Sequence, residues 1–352
     1  MKRTLTSIFA ISAIIALLAG FLLVGYFAWL DGFDSFIEAM VDIALSLILA
    51  PVLHELGHVV FAGGAQMQCV LVKCFCLRYT YENGKHRIKL VSPFSADQTQ
   101  VVPKKSGNMK RRAMAYALGG LIMQGTTFFL LLATAFTLTF CGVETYHVWG
   151  YIPYMGYLFL LNVLPLEYPG GKTDALVCKG IKKEYPAEKT MLTAMEIQGM
   201  LYEGKSFSEI EKTLYFSTPQ LPEDEPLFAT MLHLRYCYYL ETNDLERAAD
   251  QINRLAASRE YLLDNEVEEV AAELVYMHSL NGDFERASEC GKLCESYLQS
   301  EKAIAKRALA AYCKAFGKDE QIEPLVTSAR KLLKKQPIKG VAKFEEILLS
   351  RI

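Results

Sequence analysis

Residues 5 to 30, LTSIFAISAIIALLAGFLLVGYFAWL, form a run without a single charged side chain. That is longer than the roughly 20 helical residues that cross a bilayer core of about 30 Å. Comparable runs cover residues 36 to 62 and 112 to 140, with a shorter one at 147 to 164. Four such segments predict a multipass α-helical membrane domain. The first follows Lys2 and Arg3 but is too long for a signal peptide and lacks a small-residue cleavage site, so it reads as an uncleaved anchor.

Charge divides the chain in the same place. Up to residue 178 there are 13 Lys or Arg against 10 Asp or Glu, and beyond it 24 against 29. A membrane half followed by a mildly acidic soluble half is the expectation, and neither half is basic enough for nucleic acid. Residues 63 to 112 carry ten Lys or Arg, whereas 31 to 35 and 141 to 146 carry none. The positive-inside bias then puts both termini and the central loop in the cytosol, with Trp29 and Trp149 at the outer interface. Eight of the nine cysteines fall on the cytosolic side of this topology, where thiols stay reduced, and no disulfide framework is expected. The pairs Cys74 with Cys76 and Cys290 with Cys294 lack a second matching pair and read as small buried hydrophobes.

Into the second apolar run the chain inserts His54, Glu55 and His58, as HELGH. An ionisable residue at the centre of a membrane helix costs about 2.5 to 3.5 kcal/mol, so these three call for a compensating partner. Positions i and i+4 share a helix face, and two imidazoles there can hold one metal ion. Glu55 sits beside them, placed to accept a proton from a metal-bound water. A zinc site of this kind needs a third protein ligand. Asp42 lies twelve residues before His54, about 18 Å along the same helix, and cannot reach. The segment 162 to 175, NVLPLEYPGGKTDA, leaves the fourth apolar run at the depth expected for His54 and His58.

HELGH in a membrane helix, with a later Asn-x-x-Pro and an Asp following another span, resembles the site-2 protease family of intramembrane zinc metalloproteases. The resemblance covers residues 36 to 178. It implies Zn2+ held by His54, His58 and Asp174, Glu55 as catalytic base, and Asn162 as a group that positions substrate or the transition state. The chain departs from the family in spacing Asn162 and Asp174 twelve apart and in having Ala175 where the family has Gly. Glu167, nearer to Asn162, is the rival third ligand.

Between the motifs, residues 70 to 91 alternate in polarity around Asn83-Gly84 and predict a small cytosolic β-hairpin. Its edge would suit an extended substrate added as a strand. In the third run Ala115, Gly119 and Gly120 favour close helix packing, and Gln124 is placed to hydrogen-bond across the bundle. Beyond residue 178 the pattern is helical and repetitive: TNDLERAA at 242 to 249 recurs as NGDFERAS at 281 to 288, with a degenerate third turn at 316 to 319. Two-helix units joined by short polar turns resemble tetratricopeptide-like repeats, whose concave surfaces hold segments of other proteins.

The expected fold is mainly α: an N-terminal anchor helix over 1–35, an intramembrane zinc protease core over 36–178 and a soluble, cytosolic helical-repeat domain over 179–352. The expected function is an intramembrane zinc metalloendopeptidase of the cell membrane, cleaving a membrane-embedded protein or peptide near the cytosolic face. Its repeats would offer a surface to a cytosolic protein partner. The alternatives are a non-catalytic membrane receptor or scaffold, and a metal sensor using the same ligands without need of Glu55.

Overall fold

The computed structural model describes residues 2–82, 85–92, 98–143, 145–168, 171–223, 225–262 and 264–352. It is mostly helical with one four-stranded antiparallel sheet, and it divides into two compact units. The first gathers residues 1–82, 86–102 and 110–184, the second 83–85, 103–109 and 185–352.

The first unit opens with α1 (Lys2–Asp31) and α2 (Phe33–Gly64), which pack against each other. A single residue separates them, Gly32 at φ 149°, a backbone conformation that favours glycine. A tight turn after α2 leads into β1 (Met67–Cys74), β2 (Leu77–Glu82), β3 (Lys85–Leu90) and β4 (Gln98–Pro103), in the spatial order β3-β2-β1-β4. The expected hairpin is therefore half of a larger sheet. Its Asn83-Gly84 turn lies outside the described residues, while β1 and β2 pair from Leu71 opposite Thr80 to Cys74 opposite Leu77. The long helix α3 (Met109–Phe140) follows.

Among the described residues, three helices are long and apolar enough to cross a membrane: residues 11–31 of α1, all of α2 and all of α3. Large apolar side chains such as Leu22, Leu30 and Leu130 point outward, each more than 60% exposed. The fourth expected span differs. It folds as α4 (Tyr146–Trp149) and α5 (Ile152–Val163), broken around Gly150. At 1.5 Å per residue α5 is about 18 Å long, short of a bilayer core. Pro153, at the second residue of α5, favours a helix start and has no N–H to continue the preceding turn. The chain then makes a small hairpin, β5 (Glu167–Tyr168) and β6 (Gly171–Lys172), and ends the unit with α6 (Asp174–Lys183).

In the second unit, α7 (Pro186–Glu203) and the short α8 (Lys212–Phe216) precede α9 (Pro226–Glu241), α10 (Leu245–Ala257), α11 (Asp264–Leu280), α12 (Phe284–Leu293), α13 (Glu295–Leu298), α14 (Ala303–Ala315), α15 (Ile322–Leu333) and α16 (Lys339–Leu349). Helices pair as α9 with α10, α11 with α12, and α14 with α15. The three connecting turns share one device. Asn243, Gly282 and Gly317 adopt φ of 61°, 72° and 66°, and the next N–H returns to a carbonyl five residues back, Tyr239, His278 and Cys313, each at 2.9 Å. This is the 6→1 bond of a Schellman closure. The core runs through Leu232, Leu240, Ile252, Val275 and Ala308. All nine cysteines are free thiols.

Candidate metal centre

α2 places His54 and His58 one turn apart, and Asp174 arrives from the first turn of α6. The Nε2 atoms of the two imidazoles are 3.2 Å apart. Asp174 closes the triangle, Oδ2 at 3.3 Å from His54 Nε2 and Oδ1 at 3.5 Å from His58 Nε2. Ligand atoms around a tetrahedral ion with bonds of about 2.0 to 2.1 Å are separated by about 3.3 to 3.4 Å. The imidazole pair fits one edge of such a tetrahedron, and each imidazole has one Asp174 oxygen at about the same distance. Among the described residues this is the one group of three or more His, Cys, Asp or Glu able to hold a metal ion. Which metal it takes is not fixed by the geometry.

The opposite ring nitrogens fix which atoms face the ion. His54 Nδ1 lies 2.9 Å from Gln124 Oε1, and His58 Nδ1 lies 2.9 Å from the Tyr116 carbonyl. Both partners are acceptors, so each Nδ1 carries the proton and each Nε2 presents a lone pair, the usual arrangement of a metal-bound histidine. Tyr116, Gly120 and Gln124 are spaced four apart and form one stripe along α3. A Cβ at Gly120 would stand 2.6 Å from His58 Nε2 and 2.7 Å from His54 Cε1, so any side chain there would press on both imidazoles. Immediately beside these positions α2 and α3 cross on bare backbone, where a Cβ on Gly57 would run into the Gly119 carbonyl oxygen. The glycines expected to serve packing alone thus also make room for the site.

Glu55 is buried beside the triad and accepts a 2.5 Å hydrogen bond from the Thr99 hydroxyl on β4. The Tyr116 hydroxyl in turn donates to the Thr99 carbonyl. One residue therefore ties His58 and the partner of Glu55 to the same point on α3.

Asp174 owes its position to Thr173, which is almost fully buried. The Thr173 hydroxyl donates to the Leu164 carbonyl at 2.7 Å and accepts from the Leu166 N–H at 3.0 Å. Its own N–H donates to the Leu166 carbonyl at 3.1 Å, and its side chain caps α6 by accepting from Leu176 N–H. The segment between folds outward as the β5–β6 hairpin, with Glu167 opposite Lys172. The twelve-residue spacing from Asn162 to Asp174 is absorbed there, and the chain re-enters beside Leu164. Glu167 lies exposed on that hairpin, outside the triad. Asn162 ends α5 with its Nδ2 donating to the Leu158 carbonyl at 3.2 Å, a bond within its own helix. Burial, and then the nearby Glu55, push the Asp174 carboxyl up to about 7, a penalty that a bound cation would reverse. Burial and Asp174 push the Cys178 thiol up to about 11, so it is a poor competitor as a thiolate ligand.

No family model, curated protein or solved structure matches the chain. The chemistry therefore has to be read from the centre itself.

Proposed function

We propose that the protein is a multipass membrane zinc endopeptidase of the site-2 protease type, cleaving a membrane-embedded protein or peptide near the cytosolic face. The observation that carries this reading is the joining of two parts: a His54, His58 and Asp174 donor set close enough to hold one ion, and a buried carboxylate, Glu55, held beside it by Thr99. Bare metal storage needs the first part alone; hydrolysis needs both. Two histidines and one carboxylate leave a coordination position open, as catalytic zinc sites do.

Bound zinc would supply a Lewis acid and lower the pKa of its water to about 7. The chain's own residues do the rest. Glu55 takes the proton of the attacking water on its carboxylate and delivers it to the leaving amine. Thr99 holds that carboxylate in one orientation, and Gln124 and Tyr116 hold the two imidazoles. β4, which carries Thr99, stands at the edge of the sheet. A substrate strand added there would be extended, freeing a scissile carbonyl that helical hydrogen bonds would otherwise occupy. The apolar exteriors of α1, α2 and α3 face lipid in this reading, with both termini cytosolic. The helix pairs of the second unit form a tetratricopeptide-like surface for a cytosolic protein partner.

The deciding experiment is Glu55→Gln. The variant should keep stoichiometric zinc and lose cleavage by about 10²- to 10⁴-fold, the usual contribution of a general base. Cleavage at the wild-type rate, or full wild-type activity after complete metal removal, would sink the mechanism. A receptor or scaffold would show no membrane fragment accumulating in Glu55→Gln cells when their membrane proteome is compared with wild type.

A further inference from the structure

A second polar cluster sits in the first unit, twelve residues before His54 on α2. Asp42 is buried there. Its Oδ2 is 2.7 Å from His147 Nδ1 on α4, and its Oδ1 accepts from the Tyr151 hydroxyl at 3.1 Å. The other ring nitrogen, His147 Nε2, lies 3.3 Å from Glu38 Oε2, one turn back along α2. The two carboxylates meet different nitrogens, so they do not converge on one ion. A carboxylate accepts and cannot donate, so both contacts are hydrogen bonds only when both ring nitrogens carry protons. Gly150 lets α4 come this close: a Cβ there would stand 2.9 Å from Asp42 Cβ.

Other charge at this end has the same sign. Asp31 and Asp34 sit at the α1–α2 junction, Asp31 accepting from Ser35 at 3.0 Å. Tyr146, Tyr151, Tyr154 and Tyr157 are the remaining titratable groups on the α4–α5 arm, α1 brings Tyr26, and Glu144 lies outside the described residues. α5 carries no charged side chain, and neither does α3 beyond Arg112. Among the described residues, His147 is the sole cation-forming side chain at this end of α2.

The geometry points to Asp42, His147 and Glu38 as a positioning clamp for the metal centre, engaged when the imidazole is doubly protonated. α2 carries His54 and His58. α4 continues into α5, and α5 ends at the Leu164 and Leu166 backbone to which Thr173 is bonded, immediately before Asp174. The clamp therefore joins, at one end, the two arms whose other ends bring the three ligands together. With a neutral ring one nitrogen turns a lone pair toward a carboxylate, and that arm of the clamp opens. The effect on zinc rests on the metal-centre reading above; the clamp itself does not.

Trp149 lies two residues from His147 and reports on it. It is half-buried, edge-on to Phe136 at 5.4 Å, with Nε1 donating to Thr139. Trp29 is the only other tryptophan, so full-length Trp29→Phe protein in detergent isolates its emission. Quenching of Trp149 by acrylamide should rise about twofold from about pH 5.5 to about pH 8, the range in which imidazole loses its second proton. His147→Lys, a permanent cation, should stay at the low value throughout; His147→Asn should stay at the high one. Gly150→Ala should reach the high value with the histidine intact. A flat wild-type curve, or one shared by His147→Asn, would overturn the clamp. At about pH 8, where every variant has its carboxylate ligand ionised, His147→Asn should lose zinc to a chelator several-fold faster than His147→Lys. Equal rates would overturn the positioning role. None of these readouts needs proteolysis, so an inactive wild type would defeat the peptidase reading without touching this one.

Discussion

Each unit buries a dense polar cluster, and the metal centre of the first and the arginine cluster of the second are balanced in opposite ways. In the helical unit Arg307, fully buried, meets Glu273 at 2.5 Å and Glu345 at 2.8 Å and lies over the Tyr276 ring at 4.2 Å. The Tyr236 hydroxyl completes Glu273 at 2.6 Å. Cation and anions all come from the chain, and the cluster is a structural ion pair. In the apolar unit, His54, His58 and Asp174 present only lone pairs to one another at 3.2 to 3.5 Å. With Asp174 ionised, such a set repels itself unless a cation joins it. What separates a site from a strut here is the sign of the groups that converge.

The sharpest break of this comparison comes from the third ligand. Asp174→Asn should lose bound zinc and proteolysis together, because two imidazoles alone leave the ion's charge uncompensated. Glu167→Gln should keep both within a few-fold. The reverse pattern in a zinc assay of the purified variants would move the ligand to the β5–β6 hairpin, against the geometry.

Arg307 supplies the next largest effect, and on stability alone. Arg307→Leu leaves two buried carboxylates without their cation, which costs about 3 to 5 kcal/mol. The helical unit should melt earlier in a denaturant titration while zinc binding per folded molecule is unchanged. A zinc loss equal to that of Asp174→Asn would mean that the two clusters are not independent.

Gln124 sharpens the comparison from the other side. Its Oε1 accepts from His54, while its Nε2 has no hydrogen-bond partner among the described residues. Gln124→Leu should keep the packing volume but free the His54 ring to rotate or change tautomer. Zinc affinity should fall about 10- to 100-fold, the usual cost of losing such a support. Unchanged affinity in a chelator competition would assign Gln124 to packing.

How much of this was legible in the chain depends on whether the signal was local. HELGH was legible because helical periodicity alone puts His54 and His58 on one face. The three turns of the helical unit were legible because Asn243, Gly282 and Gly317 mark a local backbone conformation. Asp174 needed a family resemblance to be favoured over Glu167, because its placement depends on Thr173 bonding back to Leu164 across a hairpin. Tyr116 and Thr99 went unrecognised as supports. A stripe of Tyr116, Gly120 and Gln124 at spacing four was present, but nothing local says which face of α3 meets α2. The fourth apolar run misled for a related reason: composition counts apolar residues and ignores the break around Gly150 and Pro153. β4 lay outside the alternating stretch, and nothing as strong as Asn83-Gly84 marked the turn at Phe75 and Cys76 that splits its first arm into β1 and β2, so only a hairpin was expected.

The smallest expected effect tests whether the repeated turns of the helical unit are energetically alike. Asp244 and Asp283 occupy the same place in the first two, each accepting from the N–H three residues on, Arg247 at 3.3 Å and Arg286 at 3.2 Å. Each also faces that arginine's side chain at the surface, a contact worth little in water. The third turn departs from this: Lys318 stands at the cap without a side-chain bond, and a short 3-10 turn, Asp319–Gln321, leads into α15. Asp244→Ala and Asp283→Ala should therefore each cost about 1 kcal/mol, the usual value of an N-cap. Asp319→Ala should cost a few tenths at most, as ordinary surface positions do. Chemical denaturation of the three variants decides it. Equal losses at all three sites would mean that the turn is held by its Schellman backbone bonds, which the three share, and that the acidic cap visible in the sequence repeat adds nothing to the fold.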